Sequence, residues 1–154
     1  MLFRSIAFMD DAEAGAREMA RVTKPGGTVA ACMWDIAGDG MTMLRIFWSA
    51  MRVADPSVER NENLAGTADG AIGEIFERAG IRDVSSGSLE VEAQHADFDD
   101  FWEPLTHGVG PAGQALAKLD AAGREAAREA CREALPSEGP FSLGARAWYA
   151  RGIA

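Results

Sequence analysis

The chain has 154 residues, 47% apolar and 25% charged, an ordinary globular composition and length enough for one domain with a sizeable core. Acidic residues outnumber basic ones by 24 to 15, giving a formal charge of −9, and no basic run of five occurs, which argues against nucleic acid as a partner. Cys32 and Cys131 stand alone without C-x-x-C spacing, no apolar run approaches the ~20 residues of a membrane span, and Met1 to Met9 is too short and mixed for a signal peptide. Reduced thiols in a cytoplasmic protein, away from the membrane, are the expectation.

Asp10 or Asp11 can cap the first helix, in which Glu13 faces Arg17 at i,i+4 and Ala16, Met19, Ala20 and Thr23 form a core-facing stripe. Pro25 cannot continue that helix, and Gly26 and Gly27 let the chain reverse. Thr28 to Trp34 is apolar without alternation, which predicts a strand covered on both faces. A loop follows from Asp35 to Gly40. Its Gly38-Asp39-Gly40 does not fit a dinucleotide fingerprint, because three residues separate it from the strand and Met43 stands where a third glycine belongs.

Thr42 or Asp39 can cap the next helix, with Leu44, Phe47, Trp48 and Met51 on one face, before Asp55-Pro56 stops it. A polar connection over 57–66 leads to a helix capped by Thr67 or Asp69, carrying Ile72, Ile75, Phe76 and Ala79 and ending at Gly80. Val84 to Ala93 reads as a strand with one solvated face, since Leu89, Val91 and Ala93 alternate with Glu90 and Glu92. Asp97 caps a short helix with an aromatic stripe of Phe98, Phe101, Trp102 and Leu105, and His107 to Gly113 reads as a glycine-rich loop. The helix from Asp120 to Leu135 sets Arg124, Arg128 and Arg132 beside Glu125, Glu129 and Glu133, a solvated face. Phe141 to Tyr149 alternates as a last strand, with Ser142, Gly144, Arg146 and Trp148 on its other side.

His95 and His107 are not spaced as metal ligands, and no metal is expected. His107, in the glycine-rich loop, is either a general base or an ordinary surface residue. No G-x-S-x-G elbow occurs, and neither cysteine has a local partner for nucleophilic catalysis.

Glu18, Met19, Arg21, Val22, Lys24, Pro25, Gly26 and Gly27, with a helix before and an apolar strand after, resemble the segment between the fourth and fifth strands of class I methyltransferases that use S-adenosylmethionine. Phe3 to Asp10 is similar to the end of the family's fourth strand and the loop after it, and Glu74 to Val84 to the helix and turn before the sixth strand. The resemblance implies an α/β chain, the C-terminal part of a doubly wound, Rossmann-like methyltransferase sheet with a helical insertion. The strand order would be fourth, fifth, seventh, sixth, with the seventh antiparallel. The family's cofactor-binding half, with its glycine-rich loop, has no counterpart here, so residues 1–154 are expected to form a single, truncated domain.

By resemblance the activity is methyl transfer from S-adenosylmethionine to a small-molecule acceptor by in-line displacement. Arg4, Ser5, Ile6 and Phe8 would lie beside the cofactor, and Trp34 and Asp35 would line the acceptor pocket. Trp48 and Trp102 either roof that pocket or pack an ordinary core. The alternative is a non-catalytic binding or self-association module, a homodimer formed through an exposed sheet edge.

Overall fold

The structure, a computed structural model, describes residues 6–59 and 64–154. Among these, a 3₁₀ turn at Ile6–Phe8 precedes α1 (Ala12–Val22), β1 (Thr28–Trp34), α2 (Thr42–Ala54), α3 (Ala71–Arg78), β2 (Arg82–His95), α4 (Phe98–Thr106), α5 (Gly110–Lys118), α6 (Ala121–Glu133) and β3 (Phe141–Ile153). The protein is thus mixed α/β, and its described residues gather into two compact units, 6–40 with 64–91 and 145–154, and 41–59 with 92–144.

In the first unit α1 begins where expected, with the Asp11 carboxylate accepting a hydrogen bond from the Ala14 N–H at 2.8 Å. Glu13 pairs with Arg17, and Ala16 is fully buried. The helix ends at Thr23, and Gly26 turns the chain at a φ of 77° that only glycine adopts freely. The sheet order is β1-β3-β2, so the last strand lies in the middle. It runs antiparallel to β1 in an unbroken register from Thr28 opposite Ile153 to Trp34 opposite Ala147. Directly opposed residues share a face, which places Val29, Ala31 and Met33 with Gly152, Ala150 and Trp148. These pack with Ile72, Ile75 and Phe76 of α3 and Ala16 of α1.

Both strand-face expectations need correcting. β1 buries Val29 and half-buries Met33, while Thr28, Ala30 and Trp34 are exposed, because the apolar cover from α1 and α3 lies on the face of Val29, Ala31 and Met33. In β2, Leu89 and Val91 are exposed along with Glu90 between them, so residues 88–94 have no apolar cover on either face. α3 is preceded by Gly70 in the left-handed conformation instead of a side-chain cap, and the Thr67 hydroxyl donates to the Leu64 carbonyl at 3.0 Å.

The second unit packs α2 against α6 and α4 against α5. Its core holds Phe47, Trp48, Met51, Phe101, Trp102 and Cys131 among others. α2 follows Met41 with no side-chain cap, where Thr42 or Asp39 was expected. The segment read as a loop to Gly113 becomes helical at Gly110, because Pro111 falls in the first turn of α5, where its missing N–H costs no helical bond. Asp97 and Asp120 cap α4 and α6 by accepting from the N–H groups of Asp100 and Gly123. The arginines of α6 are not purely solvated: the Arg132 guanidinium lies 4.1 Å from the Phe98 ring centre, and Arg128 reaches Asp99 at 3.1 Å.

Candidate functional site: a polar cluster at the end of β1

Where β1 ends, the chain leaves the sheet through a short, tightly bonded loop. The Asp35 N–H donates to the Arg146 carbonyl at 2.9 Å, extending the ladder by one residue, and the Arg146 N–H donates to the Gly40 carbonyl at 3.0 Å. Gly40 returns an N–H to the Asp35 carbonyl at 2.9 Å. The Asp35 side chain closes the turn, its Oδ1 accepting from the Gly38 N–H at 2.8 Å. A Cβ on Gly38 would stand 2.7 Å from Oδ1, and one on Gly40 would strike Oδ2. The G-x-G spacing therefore exists so that backbone can close over a carboxylate.

That carboxylate is 1% exposed. A buried charge needs a partner, and Arg146 supplies it, with Nη1 3.4 Å from Oδ2. Arg146 also sits 3.5 Å from Glu90 through Nε, and its guanidinium carbon lies 5.5 Å from the Trp148 ring centre. One guanidinium thus stands between two carboxylates. The contact to Asp35 has the distance of an ion pair without the alignment of a hydrogen bond, so Oδ2 accepts none; Arg146 Nε and Trp148 Nε1 are likewise shielded from solvent and donate none.

The residues expected at the site fall in several places. Arg4 and Ser5 lie outside the described residues. Ile6 is buried in the first unit's core, and Phe8 is 59% exposed. Trp34 is partly exposed at the end of β1, next to the buried Asp35. Trp48 and Trp102 belong to the core of the second unit, where Trp48 meets Phe47 edge to face and Trp102 stacks on Phe98. His107 follows α4 on the surface, 3.9 Å from Glu103. His95 is the more enclosed histidine, held between Phe101 and Phe141 with Nδ1 3.5 Å from Asp100.

Arg146, Trp148 and Glu90 were not expected at a site. Their signal was positional: Arg146 and Trp148 are two apart in a strand and so share a face, yet both are too large and polar for the small residues around them. Among the described residues, no group of three or more His, Cys, Asp or Glu could hold a metal ion, and no helix is long and apolar enough to cross a membrane. No protein-family model matches the chain, and no curated protein matches it.

Proposed function

We propose that this chain carries the acceptor side of a class I S-adenosylmethionine-dependent methyltransferase working on a small molecule in the cytoplasm. The observation that carries the reading is topological. A helix, the turn Lys24-Pro25-Gly26-Gly27 and an apolar strand are followed by a last strand inserted antiparallel between that strand and β2, the order the resemblance implies. The end of β1, with Trp34, Asp35 and the Arg146 cluster, is where an acceptor would be held, since ligands of open α/β sheets lie beyond the carboxyl ends of strands.

The cofactor does not fit the described residues alone. Ile6 is committed to the core, Phe8 is a single exposed ring, and no strand with a glycine-rich loop stands ahead of α1 among them. The reading therefore gives this chain the acceptor and places the S-adenosyl group on residues beyond it. A second reading, a non-catalytic module that self-associates, has its own support. β1 has a single neighbour among the described residues and carries no charge from Thr28 to Trp34, an edge apt to pair with a second copy.

Titration calorimetry with S-adenosylhomocysteine decides, run on the 154-residue chain and on a version extended by whatever its gene encodes upstream of Met1 in either frame. Binding tighter than roughly 100 μM, about −5.5 kcal/mol, in the extended chain supports the methyltransferase reading. No heat from either chain overturns it and leaves the self-associating module.

A further inference from the structure

We propose that the sheet face turned away from α1 and α3 is a docking surface for an amphipathic helix of a partner protein, one that carries a carboxylate in line with its apolar residues. The register of β1 on β3 sets Trp34, Cys32 and Ala30 beside Ala147, Tyr149 and Arg151 on that face. β2 continues these rows. Val84 reaches Gly152, Tyr149 lies against Gly87 and Glu90 meets Arg146, so β2 runs antiparallel to β3. Leu89 then completes the row of Trp34 and Ala147, Gly87 that of Cys32 and Tyr149, and Ser85 that of Ala30 and Arg151.

An antiparallel sheet open to water on one face is ordinarily polar there, and this one is not. Trp34 is 40% exposed and Leu89 and Val91 are each 52% exposed, and no side chain of the first two rows belongs to either hydrophobic core. Contiguous exposed apolar surface of this kind marks a contact site. The third row adds a charge. Arg151 is exposed between Ala30 and Ser85, and its guanidinium pairs with no carboxylate among the described residues, in a chain whose formal charge is −9.

The spacing selects a helix as the occupant. The rows stand about 6.6 Å apart along the strands, and residues i, i+4 and i+8 of a helix advance by about 6 Å each. Apolar side chains at i and i+4 therefore meet the first two rows when an acidic one at i+8 meets Arg151. The outer strands are about 10 Å apart, the width of one helix. A second copy offers on this face only Asp83, at the edge of the sheet beyond Arg151, so charge complementarity favours a different chain. The surface is a face of the sheet, distinct from the β1 edge at which a self-associating module would pair strands, and it does not depend on the methyltransferase reading.

The test titrates the whole chain with a synthetic helix of about 18 residues, long enough to cross the face, that carries leucine at i and i+4 and glutamate at i+8 among alanine and glutamine. A second peptide has lysine in place of the glutamate. The readout is the tryptophan indole N–H region of a ¹H–¹⁵N spectrum, in which Trp34→Phe identifies the Trp34 signal. The expected result is a saturable shift of that signal with the glutamate peptide and binding of the lysine peptide weaker by about tenfold. Arg151→Glu should reverse the preference, and Leu89→Ser should weaken both peptides by a similar factor. Both variants change exposed residues, so the fold is retained. An unmoved Trp34 signal, equal binding of the two peptides, or a preference that survives Arg151→Glu would overturn the proposal. Sedimentation showing a dimer that Leu89→Ser dissociates would overturn it as well, by giving the face to a second copy. No cofactor is present, so failure here is separate from failure of S-adenosylhomocysteine binding.

Discussion

The two cysteines share a side chain and differ in environment. Cys131 is fully buried in α6, and burial pushes its thiol up to about 12 because a thiolate there would lose its hydration. At about pH 8 the Cys131 side chain is then held as the thiol, and the thiolate is the reactive form. Cys32 is only half-buried in β1. Iodoacetamide should therefore label Cys32 alone in the native protein and both cysteines in denaturant, as mass spectrometry of the digests would show; labelling of Cys131 at the same native rate would contradict its burial. Space decides a second case. Gly40→Ala places a methyl group against the Asp35 carboxylate, which is fixed by Gly38 and Arg146, so the loop must shift. Overpacking of this kind costs about 1–3 kcal/mol, readable in urea unfolding. Gly144→Ala, where nothing lies within 4 Å of the added carbon, should cost much less.

At the scale of elements, the helix starts separate local from tertiary causes. Asp120→Ala removes the acceptor for the Gly123 N–H and should cost about 1 kcal/mol, whereas Thr42→Ala should cost far less because α2 has no side-chain cap to lose. The end of α2 carries a pH signature. The Ser57 hydroxyl, then its N–H, hold the Asp55 carboxyl below its ordinary value of 3.8. A lowered folded-state value means the contribution is present above the ordinary carboxylate range and fades as pH falls through the folded value. Ser57→Ala should raise the Asp55 midpoint toward 3.8 in a carbon-detected NMR titration, and an unmoved midpoint would show the hydroxyl to be idle. Elements with such local causes were legible in sequence: α1, α4 and α6 begin at the aspartates that cap them, and the turn at Gly26 follows from proline and glycine chemistry. α5 was missed because glycine and proline signal a loop unless proline falls in the first turn, which the sequence does not mark. The exposed faces of β1 and β2 were misjudged because the sequence pattern, an unbroken apolar run in β1 and alternation in β2, reports what a strand could bury, while the elements packed on it decide what it does bury. The resemblance placed the last strand beside β1, but the pairing of Asp35 with Arg146 was beyond reach, because it depends on the register between the two strands, which no local pattern encodes.

For the whole molecule the governing quantity is charge. The ion pairs among the described residues are mostly local and exposed, such as Glu18 with Arg21 at i,i+3 and Glu74 with Arg78 at i,i+4, and solvent screening leaves each of them little to contribute. They cancel charge in place and leave the formal excess of −9 spread over the rest of the surface. Salt acts unequally on these two kinds of interaction. The screening length falls from about 30 Å at 0.01 M to about 8 Å at 0.15 M, so repulsion between excess carboxylates far apart is lost, while pairs at contact distance are weakened much less. Repulsion opposes the compact state, and its removal should win over the modest loss from surface pairs. The melting temperature in sodium chloride should therefore rise by a few degrees between those two ionic strengths, where about 1 kcal/mol moves a domain of this size by roughly 2–4 °C. A flat or falling melting temperature would mean that the acidic excess is already compensated in the fold and that the ion pairs are the larger electrostatic effect.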